Sequence, residues 1–257
     1  MLLAIDSGNT NTVFAVFDEN GTSKGEWRSS TDHGRTADEF GMWLMQLMNL
    51  EGMKPSVIDA AILATVVPAT LFSLKTLCTK YFKQEPMIVG EAGVDLGIEV
   101  LVDKPDEVGA DRLVNAVAAK ERYGGPLIVV DFGTATTFDV TDEHGNYFGG
   151  VIAPGVNLSA EALHMAAAKL PRVAVGKTDL VIGKGTVSAM KSGLFWGYVS
   201  MIEGMIGRIR AEYGKPMRVV ATGGLAPLFA GSTACIDVID SDLTMRGLYL
   251  IHRRNRR

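Results

Sequence analysis

The stretch Ala4-Ile5-Asp6-Ser7-Gly8-Asn9-Thr10-Asn11-Thr12-Val13 is echoed 125 residues later by Val129-Val130-Asp131-Phe132-Gly133-Thr134-Ala135-Thr136-Thr137-Phe138. Each is an apolar run closed by Asp-x-Gly, then small polar residues, then apolar residues again. Such a run between turn signals predicts a buried strand. Asp-x-Gly predicts a tight turn in which glycine permits positive φ or close approach of a ligand. The residues after it predict the return strand of a hairpin. Two such hairpins facing each other offer two carboxylates and two turns rich in hydroxyls and amides. That combination suits a nucleoside triphosphate with a cation and suggests phosphoryl transfer.

Working outward, element order repeats as well. Strands are expected near 2–6, 12–17 and 25–30, with a turn at Asp18-Glu19-Asn20-Gly21. A helix follows Thr36, where Thr36 and Glu39 form a capping box and Phe40, Trp43, Leu44, Leu47 and Met48 share one face. A strand near 60–67, a helix from Pro68 to about Phe82 and a short strand near 87–89 complete the first half. The second half reads as strands near 127–131, 135–140 and 147–151, helices near 158–168 and 186–212, and strands near 218–222 and 236–239. A terminal helix starts at about Asp242. This βββαβ-type order, occurring twice, predicts two α/β lobes with a cleft between them. The join is expected in the helix 112–123 or in the breaker Tyr123-Gly124-Gly125-Pro126.

Composition sets outer limits. The 257 residues are 47% hydrophobic and 21% charged, ordinary for a globular protein, and the net charge of −4 gives no reason to expect nucleic acid as a partner. Cys78 and Cys235 stand far apart without ligand spacing, which predicts reduced thiols in a cytoplasmic protein. The most apolar stretch, Ala60 to Val67, is too short to span a membrane, which needs about 20 residues.

The chemistry-bearing residues each carry two local readings. Asp6, where a buried strand ends, can hold Mg²⁺ through water, or can close an Asx-turn. Gly8, Asn9, Thr10, Asn11 and Thr12 can bond phosphate oxygens through backbone N–H groups and hydroxyls, or can satisfy their own turn. Asp131 and Thr134 are the second-half counterparts of Asp6 and Asn9; Asp131 can bind a cation directly and Thr134 can meet the γ-phosphate. Glu107-Val108-Gly109-Ala110-Asp111-Arg112 leads from a polar loop into an Ala-rich helix. Asp111 there is either an N-cap or a carboxylate that takes a hydroxyl proton, and Arg112 is either solvated or a two-pronged grip on a carboxylate. Thr222-Gly223-Gly224-Leu225 lets a nucleotide approach a helix start. Gly176-Lys177-Thr178 is not a P-loop, because Pro171 stands where the leading glycine belongs and no strand precedes it. Gly193, Gly197, Gly204 and Gly207 in the 186–212 helix point to a close helix contact, between lobes or between subunits.

These residues together resemble type III pantothenate kinase over essentially the whole length. The matching stretches are Asp6 to Thr10, Glu107 to Arg112, Val130 to Thr137, Gly149-Gly150-Val151-Ile152-Ala153-Pro154-Gly155 and Thr222 to Leu225. Gly-Ala-Asp-Arg between two Asp-x-Gly hairpins carries the specificity; the Asp-x-Gly motifs alone indicate the wider actin-like ATPase superfamily. The resemblance implies an α/β fold of two ribonuclease-H-like, actin-like lobes, each a mixed sheet with helices and with the ATP cleft between them. The lobes are expected at 1–117 and 118–257, with the helix 242–257 able to pack back on the first. It implies transfer of the ATP γ-phosphate to the 4′-hydroxyl of pantothenate, the first step of coenzyme A biosynthesis. It further implies a homodimer whose pantothenate pocket adjoins the subunit interface, and a need for Mg²⁺ with ATP and for a monovalent cation, K⁺ or NH₄⁺.

Carried over by motif, Asp6, Ser7, Gly8, Asn9, Thr10, Asn11, Thr12, Val13 and Thr134 hold ATP. Asp111 accepts the proton, Gly109, Ala110, Asp111, Arg112 and Thr186 hold pantothenate, and Asp131 binds the monovalent cation. One position departs: many members have Tyr where Val102 precedes Asp103-Lys104-Pro105. The competing readings are another phosphotransferase of the superfamily, such as a sugar or acetate kinase, and a non-catalytic actin-like ATP-binding protein.

Overall fold

Two five-stranded mixed sheets, built to one plan, organise the chain. The computed structural model describes residues 1–256. The first sheet contains β1 (Leu2–Ser7), β2 (Asn11–Phe17), β3 (Ser23–Ser30), β4 (Ala60–Thr65) and β5 (Met87–Ile88), in the order β3-β2-β1-β4-β5. The second contains β6 (Leu127–Phe132), β7 (Ala135–Thr141), β8 (Tyr147–Pro154), β9 (Arg218–Thr222) and β10 (Val238–Ile239), in the order β8-β7-β6-β9-β10. In both, the first three strands form an antiparallel meander and the last two run parallel to the first. This is the ribonuclease-H-like arrangement of actin-like ATPases, present twice. The duplication extends to the turns. Asp18 Oδ1 accepts from the N–H groups of Asn20 and Thr22, and Asp142 Oδ1 accepts from those of His144 and Asn146.

The chain forms two compact units. One is Met1–Arg122 together with the stretch from Asp242 onward; the other is Tyr123–Ser241. In the first unit, helix α1 (Ala37–Leu50) starts at the expected capping box: Glu39 N–H donates to Thr36 Oγ1, and Thr36 N–H donates to Glu39 Oε2. Phe40, Leu44 and Met48 of α1 are buried against Leu3, Ile5, Phe14 and Leu63. Helix α2 (Pro68–Leu77) continues as a π-helical turn over Cys78–Phe82, so the helical run reaches the expected Phe82 and ends at Lys83 with φ 59°. Helix α3 (Ala110–Tyr123) spans the end of this unit and the first residue of the next.

In the second unit, α4 (Val156–Ala166) begins two residues before the expected 158. Gly155, in extended conformation, caps it, and its carbonyl accepts from Ser159 N–H. Helix α5 (Thr186–Tyr213) packs Leu194, Phe195, Val199, Ile202 and Ile206 against Ile128, Val130, Phe138 and Val219. The short helix α6 (Ala226–Ala230) adds Phe229, which stacks on Phe132 and Phe195. The terminal helix α7 (Leu243–Asn255) returns to the first unit and lies on β1 and β4. Gly247 is needed there, since a Cβ would overlap the carbonyl of Val114 in α3.

Candidate active site

The first Asp-x-Gly turn sits where β1 gives way to β2. Asp6 is half-buried at the strand end and pairs with Val13 on one side and Ala64 on the other. The N–H that an Asx-turn at Asp6 would use, that of Gly8, donates to Asn11 O at 3.0 Å. Only the middle of the motif reaches the surface. Asn9 and Thr10 are exposed, and Gly8 and Asn11 are half-buried. Ser7 and Thr12 are fully buried, with their hydroxyls 3.1 Å apart, and Val13 is buried too. So the backbone and side chains of Asn9 and Thr10 offer donors to phosphate at the surface, while the Gly8 N–H closes the turn on Asn11 O and Ser7, Thr12 and Val13 shape it from beneath.

The second turn is one residue shorter. Asp6 pairs with Val13, but Asp131 pairs with Thr137, and Gly133 N–H donates to Ala135 O at 3.0 Å. Thr134 is exposed at its tip, and its carbonyl accepts from Gly155 N–H at 3.1 Å. Gly155 leaves no room for a side chain, because a Cβ would overlap that same carbonyl. Gly223, at φ +87°, closes the other side: a Cβ there would lie 2.5 Å from Asp131 Oδ1 and 2.7 Å from Phe132 O. Asp131 Oδ1 and the backbone N and O of Phe132 therefore pack directly against Gly223, where only glycine fits. The Asp131 carboxylate is a hard oxygen donor of the kind that fits a K⁺-like cation. Sequence reasoning placed Gly223 beside a nucleotide and missed its closeness to Asp131, since nothing in the spacing of the two motifs signals it.

The Gly-Ala-Asp-Arg element opens α3. Gly109 O accepts from the N–H groups of Arg112 and Leu113, so Gly109 takes the capping position and Asp111 stands second in the helix. Asp111 Oδ1 accepts from Arg112 N–H at 2.8 Å. Burial pushes the Asp111 carboxyl above its ordinary value of 3.8, against the opposing pull of the Arg112 N–H and guanidinium. A Cβ on Gly109 would sit 2.6 Å from Asp111 Oδ1 and 3.4 Å from Val66 Cγ1. Val66 in turn donates its N–H to Ser7 O at 3.1 Å. Val66, just beyond β4, thus joins the first turn to the Asp111 element inside one unit. Sequence reasoning did not single it out, because its link is a backbone bond and a methyl contact.

The remaining residues lie in the second unit. Thr186 is the first residue of α5 and is exposed. Gly176-Lys177-Thr178 lies in the irregular segment between α4 and α5, with no strand before it. Among the described residues, no three His, Cys, Asp or Glu side chains gather as a metal cluster.

A family model described as type III pantothenate kinase matches residues 2–208. A type III pantothenate kinase of Rhodospirillum rubrum is 68% identical over 255 residues, covering 99% of each chain. One of Paramagnetospirillum magneticum is 66% identical over 255 residues, covering 99% of this chain and 98% of its own. Among solved structures, a Baf family transcriptional activator of Campylobacter jejuni superposes with a TM-score of 0.63 at 19% identity, covering 98% of each chain. Component A of the Acidaminococcus fermentans (R)-2-hydroxyglutaryl-CoA dehydratase gives a TM-score of 0.55 at 12% identity, over 96% of this chain and 94% of that one. At such identities these two likenesses speak for the fold alone.

Proposed function

The chain belongs to the type III pantothenate kinase family, and on that premise we propose how its residues carry ATP-dependent phosphorylation of pantothenate to 4′-phosphopantothenate, the first step of coenzyme A biosynthesis. Asp111 accepts the proton of the 4′-hydroxyl as that oxygen forms its bond to the γ-phosphorus. The bond from the γ-phosphorus to the bridging oxygen breaks, and ADP leaves. Arg112 grips the pantothenate carboxylate in two-pronged geometry, with Gly109, Ala110 and Thr186 completing the substrate contacts. The observation that carries this reading is Asp111 itself. It is a carboxylate raised by burial at a helix start, next to a guanidinium, in a family-specific element.

The turn from Gly8 to Asn11 and Thr134 hold the ATP phosphates through backbone and hydroxyl donors. Asp6, a single half-buried carboxylate, suits Mg²⁺ held through water, as that ion prefers one or two carboxylates plus phosphates. Asp131, against which Gly223 packs without room for a side chain, would hold the monovalent cation. Both ions supply positive charge against the phosphate oxygens. An ATP-consuming reaction of this kind goes with a cytoplasmic location, as do the free Cys78 and Cys235; burial pushes the Cys78 thiol up to about 12 and leaves it inert.

The purified protein should form ADP with pantothenate, Mg²⁺ and K⁺, and much less in Na⁺. Asp131→Ala should remove the difference between K⁺ and Na⁺. Turnover with a sugar and none with pantothenate overturns the reaction, and equal wild-type rates in the two salts overturn the role of Asp131.

A homodimer is part of the same reading. A Cβ on Gly193, Gly197 or Gly207 would meet nothing within 4 Å, so no packing within the described chain accounts for these glycines of α5. Exposed apolar side chains occur in the same unit: Phe148 and Ile152 on the edge strand β8, Met165 at 77% exposure and Ile182 at 81%. A two-fold pairing of such surfaces closes on itself. Thr186 and Val187 start the same helix, which ties assembly to substrate. Light scattering at micromolar concentration should give a dimer, and Gly197→Leu should weaken both assembly and pantothenate binding. A monomeric wild type rejects the dimer; a monomeric Gly197→Leu that binds pantothenate normally rejects the coupling.

A further inference from the structure

Beneath the first turn runs a chain of five hydroxyls drawn from three stretches of the sequence. Ser7 Oγ lies 3.1 Å from Thr12 Oγ1 and 3.1 Å from Thr70 Oγ1, and Thr12 Oγ1 lies 3.0 Å from Thr31 Oγ1. Thr65 Oγ1 lies 3.3 Å from Thr70 Oγ1 and has two acceptors for its one proton, Ser7 O and Val67 O, each at 3.2 Å. Ser7, Thr12 and Thr70 are each 2% exposed or less. Thr31, just past β3, is half-buried and grips the turn twice. Its N–H donates to Thr10 O at 2.9 Å, and its hydroxyl donates to Gly8 O at 2.7 Å.

The proton count gives this chain a direction. A hydroxyl has one proton and two lone pairs. Thr31 spends its proton on the Gly8 carbonyl, which can only accept. Toward Thr12 it therefore accepts, so Thr12 donates to Thr31. Thr12 has then spent its own proton, and Ser7 donates to Thr12. The result is a one-way series from Ser7 through Thr12 and Thr31 to Gly8 O. Bonds aligned in this way polarise one another in a buried setting. The series ends on the carbonyl of the glycine that opens the turn.

We propose that Thr31, outside both sequence motifs, is a positioning residue for the triphosphate. Its hydroxyl fixes the Gly8 peptide, and with it the N–H groups of the turn that meet the phosphates. This deepens the kinase reading above and rests on it. Thr31→Val removes the donor while keeping the shape. Gly8 O then loses its partner, Thr12 loses its acceptor, and the turn is free to rotate its peptides away from the ligand.

The test is binding of a non-hydrolysable ATP analogue with Mg²⁺, measured by calorimetry on the full chain, alongside adenosine, and steady-state kinetics with both substrates. Thr31→Val should weaken the analogue and raise the KM for ATP by about tenfold, the scale of one lost hydrogen bond. Adenosine binding and the KM for pantothenate should be unchanged, and Thr31→Ser should restore wild-type affinity. Thr12→Val cuts the same series one step earlier. Adding it to Thr31→Val should cost less than the two separate losses combined. Unchanged ATP affinity in a folded Thr31→Val overturns the proposal, as does equal weakening of ATP and adenosine or failure of Thr31→Ser to rescue. A wild type without pantothenate-dependent turnover sinks the kinase reading instead, and the binding arm still tests Thr31.

Discussion

Asp111→Asn is expected to lower kcat by about 10²–10⁴, the usual contribution of a positioned base, with little change in ATP affinity. The asparagine keeps the shape and can still accept from Arg112 N–H, as Asp111 Oδ1 does at 2.8 Å. What it loses is the ability to take a proton. The pH dependence carries the same signature. Burial raises the Asp111 carboxyl above 3.8, so its ionised form is the one the fold disfavours. Activity should therefore fall off on the acid side at a pH above that of an ordinary aspartate. The stability sign is opposite to that of a paired carboxylate: ionisation of Asp111 costs stability as pH rises through its folded value. Asp111→Asn should accordingly keep or raise Tm at neutral pH while kcat collapses. A near-normal kcat together with a lowered Tm would show that Asp111 only stabilises the start of α3.

Gly223→Ala should cost about 10² in kcat/KM, the scale of an ångström-sized misplacement at a reacting centre, and should abolish the response to K⁺. The added Cβ meets Asp131 Oδ1 at 2.5 Å and the N and O of Phe132 at 2.7 Å, on a residue already at φ +87°. Two of those three atoms belong to the backbone of β6, so the strand end or the turn must move. The adjacent Gly224 supplies the control. A Cβ there meets nothing within 4 Å, so Gly224→Ala should be close to wild type. If both variants respond to K⁺ as the wild type does, the packing of Gly223 against Asp131 has no part in cation binding.

Much of the architecture was legible because it rests on local signals. The strand runs, the Thr36–Glu39 capping box and the turn at Asp18 are written within a few residues of chain. The doubled Asp-x-Gly motif announced the doubled sheet. What stayed hidden depends on partners distant in sequence. The shorter second turn follows from the pairing of Asp131 with Thr137, which only strand register decides. The burial of Ser7 and Thr12 depends on Thr31, Thr65 and Thr70, none of which belongs to a motif. The widening of the helix after Leu77 into a π-helical turn is likewise not encoded in propensity.

The return of α7 to the first unit has a consequence for how the molecule is made on the ribosome. Residues 1–122 of the first unit are synthesised before Tyr123–Ser241, yet the helix α7 that completes this unit is translated only after them. Leu3, Ile5 and Leu63 face α1 and α2, so Ala4 and Ile62 point to the opposite side of the sheet, where Tyr249 meets Phe17. That side is where α7 lies on β1 and β4, with its Leu248 and Ile251 buried. Domains usually mature in the order of their synthesis; here the part begun first is the part finished last. A stop codon within α7 would therefore damage a sheet made long before it, the one that bears Asp6.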